Sequence, residues 1–379
     1  MTKRKAFVVV LLALGAIAAI ALHEWPLVAQ VPASGTIAGF RLAGPVDSEI
    51  ARDFLERQTL PAGLLRVRND YAQTQRAPTR TELADLSQRY SPDVATLTFI
   101  EAVSRLPENV ELRRRYEREL AYVRAVGVDH AGRGVPDDLL VLFVPGWFYV
   151  SHGSETNADL QRQRRLLDRF GVRNELVRVD ENGKVEDNAV TVANAIRAAS
   201  AGHRLIVVSA SKSGAEVALA LGRELRPDET RSVAAWLSIG GVVRGTPFAD
   251  RVLEPDLCWF VRAQLRLQGF DLEGARSMRT DRAGAAFRTL AFPQHIEIVS
   301  YVAAPLSGHI SERGDFGYAR MRSHGPNDGL TLLADEIIPG GSTLLAPGVD
   351  HFFDHPDQPL WTAALFRVLV DRAARFGEG

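Results

Sequence analysis

The sequence predicts an α/β domain with a mostly parallel sheet and helices on both faces, preceded by a helical N-terminal region. From Asp138 onward, short apolar runs alternate with segments of helical periodicity, which is the pattern of βα units. Before Val126 the periodicity is helical almost throughout. A chain of 379 residues with 46% hydrophobic and 24% charged residues is typical of a globular protein, which argues against a disordered or multi-span membrane protein.

Charge and cysteine content exclude several classes of function. Lys and Arg number 45 against 46 Asp and Glu, so no excess of positive charge indicates a nucleic-acid partner. The single cysteine, Cys258, excludes an intramolecular disulfide and a multi-cysteine metal site.

The first 22 residues have the pattern of a signal peptide or membrane anchor. Three basic residues at positions 3–5 precede an uncharged apolar run over residues 6–22, and Ala21 ends a small-x-small cleavage motif. Both a cleaved signal peptide and an uncleaved anchor would place the rest of the chain outside the cytoplasm. The protein would then be periplasmic, secreted or associated with the membrane. A buried N-terminal helix is the alternative.

Residues 35–135 are predicted to form the helical N-terminal region. Helices are predicted over residues 47–58, 92–106 and 109–126, and Thr79 with Glu82 has the spacing of a capping box. No motif of catalytic chemistry occurs here. A second cap over the site, a spacer from the membrane and a partner-binding module all remain open.

Residues 138–379 are predicted to form the α/β domain. The predicted strands cover residues 139–144, 175–179, 205–209, 234–239 and 296–302, and the predicted helices cover residues 159–170, 188–199, 214–225 and 360–376. An insertion is predicted at residues 251–292, and its apolar residues would suit either a cap over an apolar substrate or packing on the core.

The stretch Ser209-Ala-Ser211-Lys-Ser213 joins a buried strand to a helix through small residues. A sharp strand-to-helix turn of this kind can expose a nucleophilic serine, although the usual motif has glycine at both outer positions. Ser211 is therefore the candidate nucleophile, and the N–H of Lys212 would face a developing oxyanion. An ordinary serine-rich turn and the S-x-x-K of penicillin-recognising enzymes, read from Ser209 to Lys212, are the alternatives. The second is disfavoured because a strand runs straight into the serine.

An acid and a base follow the candidate nucleophile in the required order. Asp328 lies in an Asn-Asp-Gly turn, and His351 lies in a loop before the last helix, which gives the series serine, acid, histidine. His355 is the competing histidine. Upstream, a strand ends in Pro-Gly-Trp147, whose N–H is the candidate for the second oxyanion donor.

With these motifs the chain resembles the α/β-hydrolase-fold serine lipases and esterases, most nearly the bacterial secreted lipases, over roughly residues 138–379. The stretches that carry the resemblance are Val208-Ser-Ala-Ser211-Lys-Ser-Gly214, Ile239-Gly-Gly-Val-Val-Arg-Gly-Thr-Pro-Phe-Ala-Asp250 and Asn327-Asp-Gly-Leu330, the last followed by His351. The resemblance implies the α/β-hydrolase fold, catalysis by Ser211, Asp328 and His351, and an oxyanion hole made by the N–H groups of Trp147 and Lys212.

Three departures from those lipases limit what the resemblance implies. Ala210 and Val243 stand where lipases usually have histidine, and Phe353 stands where they carry a calcium-binding aspartate. We therefore predict neither a metal nor any other cofactor, nor specifically a triglyceride substrate. Lys212 would either attract an anionic acyl group or be an ordinary solvated lysine.

The sequence thus predicts a serine hydrolase that cleaves a small-molecule or lipid carboxylic ester through an acyl-enzyme. Acyl transfer to an alcohol and thioester hydrolysis are related possibilities within the same fold. A catalytically silent domain that binds partners in the cell envelope is the alternative from a different class, because the fold alone does not imply activity. Nothing in the sequence indicates the oligomeric state.

Overall fold

In a computed structural model, the structure describes residues 30–57, 60–132, 134–253 and 272–375. The predicted signal peptide or anchor at residues 1–22, Cys258 and the middle of the predicted insertion at residues 251–292 lie outside the described residues. Among the helices of the described part, none combines the length and apolar character needed to cross a membrane.

The N-terminal region begins with an antiparallel β-hairpin. The prediction that the chain is helical from residue 35 is therefore wrong for the residues of this hairpin. Strands β1 (Val31–Ile37) and β2 (Phe40–Val46) pair through a two-residue turn at Ala38 and Gly39, both with positive φ. Alternate residues of each strand are buried, among them Ile37 and Leu42. Burial of every second residue is the pattern of a β-strand. Each segment is also too short and too rich in glycine and proline to form a helix.

The rest of the N-terminal region contains five helices. The helices are α1 (Glu49–Arg57), α2 (Ala62–Thr74), α3 (Arg80–Arg89), α4 (Pro92–Ser104) and α5 (Pro107–Val126), of which α2 was not expected. The capping box is present, because the Thr79 hydroxyl accepts from the Glu82 N–H and the Glu82 carboxylate accepts from the Thr79 N–H.

A six-stranded, fully parallel sheet forms the centre of the molecule and confirms the predicted fold class. Its strands are β3 (Leu139–Val144), β4 (Arg173–Leu176), β5 (Arg204–Ala210), β6 (Val233–Ile239), β7 (Glu297–Ala304) and β8 (Ser342–Pro347), in the order β4-β3-β5-β6-β7-β8. Strand β8 was not predicted. Strand β4 covers Arg173–Leu176, whereas the prediction was residues 175–179.

Helices cover both faces of the sheet. They are α6 (Gly153–Thr156), α7 (Gln161–Arg169), α8 (Val185–Ala199), α9 (Ser213–Leu219), α10 (Pro247–Val252), α11 (Leu272–Ser277), α12 (Thr280–Phe287), α13 (Asp315–Met321) and α14 (Gln358–Arg375). Apolar residues of α5, α7 and α14 pack on one face, and those of α8, α9 and α12 pack on the other. This sandwich leaves the carboxyl ends of the strands as the edge from which loops can build a site.

The N-terminal region shares an apolar core with the sheet. Buried side chains of β1, β2, α1 and α4 form one cluster with Val302 and Ala304 of β7 and Leu345 of β8. The region thus extends the apolar packing at the β7–β8 end of the sheet. The division of the chain into segments 35–135 and 138–379 stays a prediction.

Candidate active site

Ser211 stands at the turn between β5 and α9 with a backbone φ of 55°. This left-handed conformation costs a residue with a side chain about 1–2 kcal/mol, so surrounding contacts have to hold it. The Ser211 N–H donates to Ile239 O (3.0 Å), and its carbonyl accepts from the N–H groups of Gly214 (2.9 Å) and Val242 (3.0 Å). The predicted strand, serine, helix geometry is therefore present.

The serines on either side of Ser211 have structural contacts. The buried Ser213 hydroxyl donates to the carbonyl of Val144 (2.7 Å) and accepts from the N–H of Ala210 (2.9 Å). The buried Ser209 hydroxyl accepts from Trp236 Nε1 (2.9 Å). Because Ser209 lies inside β5 and does not open a helix, the arrangement of penicillin-recognising enzymes is not the one observed.

Two glycines let the elements that surround Ser211 approach one another closely. A Cβ atom on Gly214 would lie 2.9 Å from the Cα of Gly241, in the loop after β6. A Cβ atom on Gly146 would lie 3.1 Å from Ala210 O and 3.4 Å from the Cβ of Ser211. Side chains at these positions would therefore crowd the turn, which accounts for glycine where α9 starts and where the loop after β3 passes the serine.

His351 and Asp328 form a hydrogen-bonded pair. Nδ1 of His351 lies 2.5 Å from Oδ2 of Asp328, and the His351 N–H donates to the Asp328 carbonyl (2.9 Å). The other carboxylate oxygen of Asp328 accepts from the N–H groups of Leu330 (2.9 Å) and Thr331 (2.8 Å). Asp328 is fully buried, so its carboxylate is fixed in one orientation against the ring.

The environment of His351 favours its protonated form. Burial acts to lower the pKa of His351, but the charge of Asp328 and its hydrogen bond outweigh burial, and the charge of Asp350 adds to them, so the pKa is raised above 6.5. Asp350 also anchors the loop that carries His351, because its Oδ2 accepts from the N–H (2.8 Å) and the hydroxyl (2.5 Å) of Ser311.

Ser211 and His351 both lie next to the turn after β6. The Ser211 N–H is bonded to Ile239 O, and a Cβ atom on the next residue, Gly240, would lie 3.3 Å from Cε1 of His351. Among the described residues, no hydrogen bond joins the Ser211 hydroxyl to His351. The structure thus brings the predicted nucleophile and base to one edge of the sheet, while their role as a triad stays a prediction.

The competing histidine, His355, has a different environment. Its ring stacks on Trp361 with 4.4 Å between ring centroids, and its Nδ1 accepts from the N–H of Asp357 (3.1 Å). Neither contact involves Asp328. Of the two histidines, His351 is therefore the one that is hydrogen-bonded to Asp328.

The two predicted oxyanion donors lie in the segments that flank Ser211. Gly146, whose N–H donates to Ala158 O (2.8 Å), adjoins Ser211, and Trp147 is the next residue. Lys212 directly follows Ser211, and in the described part of the chain its N–H has no hydrogen-bond acceptor. Both N–H groups thus come from the segments that an oxyanion hole requires.

The side chain of Lys212 is buried, which corrects both expectations for it. It is 2% exposed, and its Nζ lies 2.7 Å from Oε1 of Glu216, which is 1% exposed. A solvated lysine or one that reaches for an anionic acyl group would need contact with solvent or substrate. Glu216 was missed in the sequence, although a lysine and a glutamate four residues apart are neighbours on a helix.

Part of the predicted insertion packs beside Trp147. Leu253, Leu272 and Ala275 form a small buried cluster against which the Trp147 ring lies, and the ring also stacks on Phe148 at 4.4 Å. The described ends of the insertion therefore give the site an apolar wall. The existence of a cap over residues 251–292 stays a prediction.

The described ranges hold no group of three or more His, Cys, Asp and Glu side chains that could bind a metal ion. Phe353, at the position of the calcium-binding aspartate of secreted lipases, stacks on Tyr301 with 4.9 Å between ring centroids.

No protein-family model and no curated protein matches the chain. Among solved structures, a metagenomic carboxyl esterase is similar, with 20% identity, a TM-score of 0.54 and coverage of 68% of this chain and 91% of that chain. A lipase of Bacillus licheniformis in its mature form has 20% identity, a TM-score of 0.47 and coverage of 57% and 86%. The first likeness, together with the parallel sheet and the strained serine turn, shows that the chain has the α/β-hydrolase fold.

Proposed function

We propose that this α/β-hydrolase-fold protein is a serine hydrolase that cleaves carboxylic esters, with Ser211 as nucleophile, His351 as general base and Asp328 as the acid that orients the histidine. The observation that carries the proposal is the pairing of His351 with a fully buried Asp328 beside a serine held at φ 55°. Backbone strain at a serine with a histidine–carboxylate pair nearby is typical of a nucleophile.

In the proposed reaction, the Ser211 hydroxyl attacks the acyl carbon while Nε2 of His351 takes its proton. The negative charge on the former carbonyl oxygen is stabilised by the N–H groups of Trp147 and Lys212. The tetrahedral intermediate then expels the alcohol, which takes the proton from His351, and the acyl group stays on Ser211. Water attacks this acyl-enzyme as His351 accepts a proton, and release of the carboxylic acid restores the serine hydroxyl.

The apolar residues beside the site support the proposed substrate class. Trp147 and the Leu253, Leu272 and Ala275 cluster offer apolar surface beside the predicted oxyanion hole, which suits an ester with an apolar acyl or alcohol part. The name of the metagenomic carboxyl esterase agrees with ester hydrolysis. Export from the cytoplasm is part of the proposal and is supported by the signal-like pattern of residues 1–22 alone.

Covalent labelling tests the proposal directly. A fluorophosphonate probe is expected to form an adduct on Ser211, located by mass spectrometry, and Ser211→Ala and His351→Ala are expected to abolish it. His355→Ala is the matched control, since His355 contacts neither Asp328 nor Ser211, and it should label like the unmodified protein. A folded protein that does not label would contradict the proposal and favour a silent binding domain.

A further inference from the structure

A chain of hydrogen-bonded polar residues connects the two predicted oxyanion residues. We propose that Lys212, Glu216 and Asn188 are positioning residues, which hold the N–H groups of Lys212 and Trp147 in the geometry that stabilises the oxyanion. This inference rests on the proposed function for its catalytic meaning. The hydrogen bonds on which it depends belong to the structure itself.

The first link fixes Lys212. Its ammonium group is 2.7 Å from Oε1 of Glu216, one helical turn further along α9, and both side chains are almost completely buried. Removing two charges from water is expensive, so a buried ion pair contributes little net stability compared with apolar residues of similar size. Such a pair does fix the direction of the side chains, and Lys212 is the residue whose backbone N–H faces the reaction.

The second link joins α9 to α8. The Asn188 amide group donates to Oε1 of Glu216 (2.8 Å) and to the carbonyl of Asp180 (2.8 Å), while its Oδ1 accepts from the Asp180 N–H (3.1 Å). Asn188 is buried, with 2% of its surface exposed. All of its amide contacts therefore serve to hold Glu216 and the loop after β4 in one arrangement.

The third link reaches Trp147. Asn182 N–H donates to Oδ1 of Asp180 (3.0 Å), and Oδ1 of Asn182 accepts from Nε1 of the Trp147 ring (3.3 Å). The path thus runs from Lys212 through Glu216, Asn188, Asp180 and Asn182 to Trp147, and we call these six residues the oxyanion network. It begins and ends on the two residues whose backbone N–H groups would bind the oxyanion.

Tight packing makes the middle of the oxyanion network rigid. A Cβ atom on Gly183 would lie 2.9 Å from the Cβ of Asp180 and 3.1 Å from Oδ1 of Asn188. One on Gly274 in α11 would lie 2.4 Å from the carbonyl of Asn182. The loop therefore has little freedom to move without disturbing its neighbours, which is what a positioning element requires.

Rigidity at these two residues matters because an oxyanion donor acts only when it is preorganised. Loss of a whole donor typically reduces kcat by about 10²–10³, and a donor misplaced by a fraction of an ångström loses part of that effect. Disturbing the oxyanion network should therefore lower kcat more than it changes KM, because the oxyanion forms only in the transition state.

The test uses the full-length protein with Lys212→Met and Glu216→Leu combined, which replaces both charges by apolar groups and leaves no unpaired buried ion. We expect kcat for a chromogenic ester to fall by about 10- to 100-fold with KM within about twofold, and fluorophosphonate labelling of Ser211 to slow to a similar extent. The matched control replaces a remote pair, Arg68→Met with Glu101→Leu, and should leave both parameters unchanged. Unchanged kinetics in a folded double variant would overturn the proposal.

Two further measurements cover the other outcomes. Should the double variant not fold, Asn182→Ala removes the partner of the Trp147 ring from a half-exposed position, and kcat should fall by about 3- to 10-fold with KM unchanged. Hydrogen exchange of residues 145–150 and 180–188 does not depend on activity, and either variant should accelerate it. An inactive wild-type protein would refute the proposed function, and unchanged exchange would refute the oxyanion network.

Discussion

His351 is tied to Asp328 by two hydrogen bonds of different kinds, one from ring to carboxylate and one from backbone to backbone. The second does not depend on the carboxylate. Replacing the side chain of Asp328 can therefore change the chemistry of the imidazole while the two loops stay joined. This separation makes the role of the acid measurable apart from the fold.

Asp328→Asn is expected to lower kcat by about 10²–10⁴, because an amide cannot hold the imidazole in the tautomer that accepts a proton at Nε2. The N–H groups of Leu330 and Thr331 can still donate to the amide oxygen, so the loop should persist. Steady-state kinetics and a thermal melt measure the two effects. A variant with near-normal kcat would show that Asp328 does not orient the base.

The pH dependence of kcat/KM should be displaced in the same variant. His351 works as a base only when neutral, and its raised pKa places the acid limb of the profile above the usual imidazole value of 6.5. Without the charge of Asp328, burial dominates and the pKa falls, so the acid limb should move to lower pH. A profile measured from pH 4.5 to 9 checks this, and an unmoved limb would contradict it.

Substitutions of Ser211 should separate backbone strain from chemistry. Ser211→Gly and Ser211→Ala both remove the nucleophile, so both should reduce esterase activity by roughly 10³-fold or more. Glycine adopts a φ of 55° without the steric cost that alanine keeps. The free energy of unfolding of Ser211→Gly, measured by urea titration, should therefore be about 1 kcal/mol higher than that of Ser211→Ala. Equal stabilities would mean that this conformation is not strained.

The sheet, the serine turn and the order of site residues were predictable because each depends on short-range patterns. The four central strands appear in the sequence as apolar runs, because both faces of the sheet are covered and their residues, such as Val207 and Trp236, are buried. The turn at Ser211 needs only a strand, small residues and a helix start. Chain order left His355 as a competitor of His351, and the hydrogen bond between His351 and Asp328 supports the choice of His351.

Tertiary contacts decided what the sequence did not reveal. The burial of Lys212 beside Glu216 also depends on Asn188, which comes from a helix before β5, and no local pattern shows that Asn188 meets Glu216. Strand β8 contains Ser342 and Pro347, whose low strand propensity hides it, and pairing with β7 overrides that propensity. The hairpin at the N-terminus was missed because its strands also contain glycine and proline.

Asp93 should make the stability of the protein depend on pH. It is fully buried at the start of α4, where its carboxylate accepts from the N–H of Asp47 (2.7 Å) and from the N–H (2.7 Å) and hydroxyl (2.6 Å) of Ser307. These bonds connect the end of the hairpin and the loop after β7. Burial and then the charge of Asp47 raise the pKa of Asp93 from 3.8 to about 7.

Between pH 3.8 and about 7 the folded protein therefore holds a proton on Asp93 that the unfolded chain releases, and the free energy of unfolding should fall as pH rises through this window. Asp93→Asn removes this titration, so its free energy of unfolding should change much less than that of the wild type between pH 5 and pH 8. Asp47, whose pKa is also raised by burial, still contributes to the pH dependence of the variant. Urea unfolding at pH 5, 6.5 and 8 measures the free energy of unfolding of the wild type and of Asp93→Asn. Asp70→Asn, at an exposed position, is the control. The same pH slope in Asp93→Asn and the wild type would show that Asp93 is ionised in the folded protein across this range.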